Sequence, residues 1–210
     1  MNKITFLSAI GALSVILSSF GAAPAVATPS LCDSIAGNLV QNCGFELPSA
    51  PGLITDWTLV GNPALTAVKM GGTAHTGTSG LNEGQNGSEG TLTQTLLATT
   101  AGTTYEITVW FQSIQNRAGQ PSDFNVTFGG HEGIDLINPG VVAYTVPYTA
   151  FSFDAVAAGA GTPLVLGFRN DSSFDQIDDI SVVPAPEPST LLLLGAGLLG
   201  FGLVRRRKAA

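Results

Sequence analysis

Between residues 28 and 183 the chain is built from short runs in which apolar and polar positions alternate. The clearest is Thr103 to Ser113, where Tyr105, Ile107, Val109 and Phe111 alternate with Glu106, Thr108, Trp110 and Gln112. A period of two predicts a strand with one buried face. Phe124 to Phe128 repeats the pattern, Thr162 to Arg169 places Leu164, Leu166 and Phe168 on one side, and Ile177 to Val183 alternates Ile180 and Val182 with Ser181. Val141 to Phe153 reads as extended chain interrupted by Pro147. Earlier candidates are Leu39 to Phe45, Trp57 to Gly61, Ala64 to Met70 and Gly90 to Leu97. Gly71 to Gly90 is rich in Gly, Thr, Ser and Asn and reads as a long loop with at most a short strand around Leu81. About nine short strands and no long amphipathic helix predict an all-β fold, an antiparallel β-sandwich or jelly roll.

The two ends break this pattern. Lys3, an apolar run from Ile4 to Phe20, and Ala25-Val26-Ala27 have the order of a secretory signal peptide. Cleavage is expected before Thr28, with Ala25 as the other site. An N-terminal membrane anchor is the competing reading, and the run is short for one. At the other end, Leu191 to Val204 holds only Leu, Gly, Ala, Phe and Val, and Arg205, Arg206, Arg207 and Lys208 follow. Fourteen helical residues cover about 21 Å of a hydrocarbon core of about 30 Å; a start at Pro188 brings the helix closer. An apolar transmembrane helix ending in a basic cluster is a stop-transfer signal. A buried core helix would need a different flank. The expected organisation is a signal peptide at 1–27, a β-sandwich domain at 28–183 and a C-terminal segment at 184–210.

Charge sharpens the middle. Between Thr28 and Val183, three basic residues face fourteen acidic ones, a net −11 against −7 for the whole chain. Such a surface repels nucleic acid and suits solubility or divalent cations. The two cysteines, Cys32 and Cys43, open the exported part. In an oxidising compartment they are expected to pair; a metal site would need further Cys or His ligands.

The segment Val183-Pro184-Ala185-Pro186-Glu187-Pro188-Ser189-Thr190, the apolar span and the basic cluster together resemble the PEP-CTERM sorting signal. Pro186, Glu187, Pro188, Arg205, Arg206 and Arg207 carry the match. The resemblance implies an exosortase-type membrane protease as partner. It also implies a membrane-anchored precursor and a product at the cell surface or outside a Gram-negative bacterium that makes exopolysaccharide. The domain resembles the galactose-binding-like jelly rolls, among them many carbohydrate-binding modules. Asn38-Leu39-Val40-Gln41-Asn42-Cys43-Gly44-Phe45-Glu46 is similar to their opening strand, Leu92 to Ile107 to their central pair, and Ile177-Asp178-Asp179-Ile180-Ser181-Val182 to their last strand.

That resemblance implies a structural Ca2+ held by Glu46 and Asp178, with Asp179 as a further ligand and backbone carbonyls from the Lys69 to His75 region. Alternation places Asp178 on the face of Ile180 and Val182, where a carboxylate needs a partner. The bland reading is that these acids are solvated or cap loop amides. Sugar binding needs an exposed aromatic with polar neighbours. Trp110, with Gln112 on its strand and Asn125 on a neighbouring one, is the first candidate, and Trp57 the second. The alternatives are a loop over Trp110 and a core position for Trp57. His75 and His131 stand alone, and no nucleophile or metallohydrolase motif occurs. The expected function is a non-enzymatic surface or matrix protein that binds carbohydrate or exopolysaccharide. A purely structural or adhesive domain is the alternative, and a polysaccharide hydrolase ranks below both.

Overall fold

The computed structural model describes residues 28–50, 52–113, 121–137, 147–171 and 173–186. The signal segment, Glu187, Pro188, the apolar span and Arg205 to Arg207 lie outside the described residues, as does the 141–146 part of the Val141 to Phe153 stretch. Among the described residues no helix is long and apolar enough to cross a membrane.

Ten strands are described: β1 (Thr58–Val60), β2 (Thr66–Met70), β3 (Ser79–Glu83), β4 (Gly90–Leu96), β5 (Thr104–Ser113), β6 (Ser122–Phe128), β7 (His131–Ile137), β8 (Thr149–Val156), β9 (Thr162–Asn170) and β10 (Asp175–Pro184). They form two antiparallel five-stranded sheets, β1-β4-β9-β6-β7 and β2-β3-β10-β5-β8. The fold is the all-β sandwich that the alternation predicts. On β5, Tyr105, Ile107, Val109 and Phe111 are buried, while Glu106, Thr108, Trp110 and Gln112 are not. Across the interface they meet Phe124 and Phe128 of β6 and Leu164, Leu166 and Phe168 of β9, all buried. Phe111 stacks on Phe124 with ring centroids 4.3 Å apart, a contact between the two sheets. Each such side chain contributes roughly 1.5–3 kcal/mol by leaving water.

Two elements differ from the pattern. Leu39 to Phe45 is a run of turns, not a strand: Asn42 and Phe45 have φ of 49° and 56°, which no strand accommodates. The segment still docks on β10, through Leu39 N–H to the Val182 carbonyl at 3.0 Å and Ile180 N–H to the Cys43 carbonyl at 3.0 Å. Asn38 fixes it further, accepting from Val182 N–H at 2.9 Å. Conversely, β7 forms where the sequence has little alternation, because an edge strand with few buried positions needs little.

The Cys32–Cys43 disulfide is present and spans 11 residues of sequence. It closes the turn run that docks on β10. Its reduction is expected to cost about 3 kcal/mol in the loop-entropy account, read as a lower urea midpoint in dithiothreitol. An unchanged midpoint would show that the hydrogen bonds to β10 hold the segment unaided.

Candidate functional site

β10 departs from strict alternation at its middle. Ile177 and Ile180 are both fully buried although they are three residues apart. A bulge allows it: the register with β5 shifts between Asp178 and Ser181, and Asp179 takes φ of 44°. Asp accepts this left-handed conformation better than most residues. Asp178 is thereby the register neighbour of Trp110. It lies on the outer face of the second sheet, not on the Ile180 side that alternation predicts.

The loop from Gly71 to Thr78 folds down over this outer face. Gly80 permits the approach, since a Cβ there would meet the Thr73 carbonyl oxygen at 2.0 Å. The loop's donors then converge on the three acids singled out in the sequence. Asp178 Oδ2 accepts the amides of His75 and Thr76 at 2.7 and 3.2 Å, and Oδ1 accepts the Asp179 amide at 2.8 Å. Asp179 Oδ2 accepts the Thr76 hydroxyl at 2.6 Å and lies 2.7 Å from His75 Nδ1. Its Oδ1 accepts the Cys32 amide at 3.0 Å. Glu46 accepts the Thr78 and Ser79 amides at 2.7 and 3.0 Å, and the Thr78 hydroxyl donates to its other oxygen. The His75 ring stacks on Trp110 at 3.9 Å and tilts against Tyr148 at 5.2 Å. The Tyr148 hydroxyl donates to the Thr73 carbonyl at 2.6 Å. Burial pushes the Asp178 carboxyl up to about 8, and the adjacent Asp179 adds to the rise. Burial, then Asp178 and Asp179, also push the Tyr148 hydroxyl upward.

Calcium takes six to eight oxygens with their lone pairs directed inward. Here every oxygen of Glu46, Asp178 and Asp179 faces an N–H or O–H donor, and peptide N–H groups rather than carbonyls point at the acids. So arranged, these residues do not fit a calcium ion. Cys32, Asp33 and Cys43 bring potential ligand atoms within 4.8 Å of one another, but the two sulfurs are bonded to each other.

The sugar candidates separate. Trp110 lies beneath His75, with Gln112 half-buried two residues along the same face. Gln112, Gln176 and Asn82 are register partners across β5, β10 and β3 and form a row of three amides on that face. Asn125 is not near them: β6 belongs to the first sheet, so its outward side chain faces the opposite side of the sandwich. There it donates to Glu89 at 2.8 Å, above Gly167. Trp57 is buried against Phe45 at 5.9 Å and donates its indole N–H to the Asn42 carbonyl at 3.4 Å. It is a core residue and offers no stacking surface. His75, Thr76 and Tyr148 were not legible as site residues. A lone histidine has no spacing signal, and only the loop's descent onto β5 brings the three together.

Residues 184–208 match the PEP-CTERM protein-sorting motif. No curated protein matches the chain. Among solved structures, the chain is similar to TmCBM61 in complex with β-1,4-galactotriose, at 17% identity and a TM-score of 0.52, over 70% of this chain and 99% of that one. It is also similar to a proposed sugar binding protein from Bacteroides thetaiotaomicron, at 11% identity and a TM-score of 0.50, over 70% of this chain and all of that one. The neighbours include carbohydrate-binding modules, and the likeness gives this chain their galactose-binding-like jelly-roll fold.

Proposed function

We propose that this is an exported protein that an exosortase-type membrane protease processes through its sorting motif. The product stays at the cell surface or in the extracellular matrix, where the sandwich binds carbohydrate without turning it over. The observation that carries this reading is the join between the motif and a sandwich with the fold of carbohydrate-binding modules. β10 ends at Pro184, Ala185 donates its amide to the Thr104 carbonyl at 2.9 Å, and Pro186 is exposed. Prolines keep such a segment extended and unpaired, the form in which a protease takes a substrate.

In this reading the sugar contacts the outer face of the second sheet, at Gln112 and the edge of the Trp110–His75–Tyr148 stack. Side-chain amides donate and accept at once, which suits sugar hydroxyls. Binding of the full chain to a glycan array that includes β-1,4-galactan tests it. Gln112→Ala is expected to weaken binding by about tenfold, the loss of one or two hydrogen bonds, while Asn125→Ala leaves it unchanged. No binding to any glycan would remove the sugar part. Polysaccharide turnover by the purified chain would remove the non-catalytic part. For sorting, Glu187→Ala should leave the full-length precursor in the membrane fraction; normal processing of that variant would count against the protease. One observation favours the structural or adhesive alternative: His75 already occupies the Trp110 face that a sugar ring would use.

A further inference from the structure

Three loops meet at the end of the sandwich from which the sorting tail leaves. Residues 97–103 join β4 to β5, Gly129 and Gly130 join β6 to β7, and residues 157–161 join β8 to β9. All three lie at the Pro184 end of β10, since Pro184 is the register partner of Tyr105, Thr104 of Val156 and Leu96 of Thr162. Hydrogen bonds knit them into one surface. Gly102 N–H donates to the Ala157 carbonyl at 2.9 Å, and Ala157 N–H to the Thr103 carbonyl at 3.0 Å. The Thr99 hydroxyl donates to the Gly159 carbonyl at 2.7 Å. Gly161 N–H reaches the Leu96 carbonyl at 3.1 Å, and Gly129 N–H the Pro163 carbonyl at 2.8 Å.

The chemistry of this surface is unlike that of the rest of the domain. Its loops hold only Leu, Ala, Thr and Gly, in a domain whose net charge is −11. Leu97 is 78% exposed and Val156, at the end of β8, 57%. The nearest ionisable groups along the chain stand inside the strands: Glu106 with its register partner Asp154, and His131 and Glu132 at the start of β7. The opposite end places Glu89 and Asp171 in its turns.

The tail is short. The Ala185 amide is still bound to the Thr104 carbonyl at 2.9 Å, so the free chain begins at Pro186. The apolar run starts at Leu191. Five residue steps span at most about 18 Å, and the headgroup layer on one side of a bilayer takes roughly 5–8 Å of that. If the run enters a membrane, the loop end cannot stand far above the headgroups.

We propose that this uncharged end is a lipid-facing surface, on which the precursor rests against the membrane before it is processed. The proposal builds on the reading that the apolar run anchors the precursor. Leu97 and Val156 gain by partial burial at the interface. The acids that anionic headgroups repel are held away from it, on the strands and at the far end. The Trp110 face lies on the side of the sandwich and stays open to solvent-borne ligands in this pose.

Fluorescence quenching in vesicles tests this. The full chain carrying Leu97→Cys, Val156→Cys or Ile137→Cys is labelled with a fluorophore and reconstituted in phosphatidylcholine–phosphatidylglycerol vesicles that contain a headgroup-linked quencher. The native cysteines are bonded to each other and take no label. Ile137 is 68% exposed at the other end of the sandwich and serves as the reference. Quenching at 97 and 156 is expected to exceed that at 137 several-fold. Equal quenching at all three positions, in protein that floats with the vesicles, would overturn the lipid-facing surface and leave the anchor intact. Protein that does not float with the vesicles would remove the anchor, and this surface with it. Quenching at 97 and 156 that appears only after the sorting protease is added would give the surface to that protein and overturn the lipid assignment.

Discussion

Asp179→Ala is expected to destabilise the domain by about 3–5 kcal/mol, the range for removing one partner of a buried charged group. Asp179 is 1% exposed, and its two oxygens serve three unlike parts of the chain: the Cys32 amide, His75 Nδ1 and the Thr76 hydroxyl. Truncation strands a buried amide at the N-terminal segment and a histidine over Trp110 in the same step. The positive φ at this position adds a further cost, because alanine accepts it less readily than aspartate or asparagine. Asp179→Asn should therefore lose much less, since it keeps the backbone preference and one acceptor oxygen. Urea unfolding of the two variants separates these contributions. A loss below about 1 kcal/mol for Asp179→Ala, no more than an ordinary exposed hydrogen bond contributes, would mean that the loop and the N-terminal segment hold without it.

The second large effect is on pH dependence. In the folded chain burial raises Asp178 to about 8, Asp175 to about 6, and Glu83 well above its usual range. Each keeps a proton in the folded state at pH values where the unfolded chain has lost it. Their contribution is complete below the unfolded carboxylate range, near pH 4, and is lost as the pH climbs through the folded values. Within its window each group removes about 1.4 kcal/mol per pH unit. Stability measured by denaturant in the presence of chelator should thus fall from pH 5 to pH 9, and the domain's net negative charge acts in the same direction. Asp178→Asn should flatten the slope between pH 6 and 8 in particular. A stability maximum near pH 8 in chelator would contradict the raised pKa of Asp178.

Much of the architecture could be read directly. Strands with one buried and one wet face announce themselves by period two, as β5, β6 and β9 do. The misplacement of Asp178 has a specific origin in the bulge, which adds one residue and turns the following positions over. Its trace in the sequence is the spacing of Ile177, Ile180 and Val182, where a step of three precedes a step of two. Leu39 to Phe45 misled because its apolar positions are buried by docking on β10, not by joining a sheet. The strand of Asn125 does not neighbour that of Trp110, because the chain crosses from one sheet to the other between β5 and β6. The nearness of Glu83 to Asp175 was invisible for a related reason. The two acids are far apart in sequence, and only the pairing of β3 with β10 makes them neighbours.

The sorting motif leaves the domain from the end of β10, which is the middle strand of its sheet, flanked by β3 and β5. A tether attached there would load the protein through a strand that is paired on both sides. Pulling along β10 strains its pairings with β5 together, in shear, and the docked N-terminal segment with its disulfide shares the load. A tail leaving from an edge strand such as β7 or β8 could instead be peeled off one hydrogen bond at a time. A load entering through this tail would therefore meet hydrogen bonds on both sides of its strand at once, where an edge strand would offer one side only.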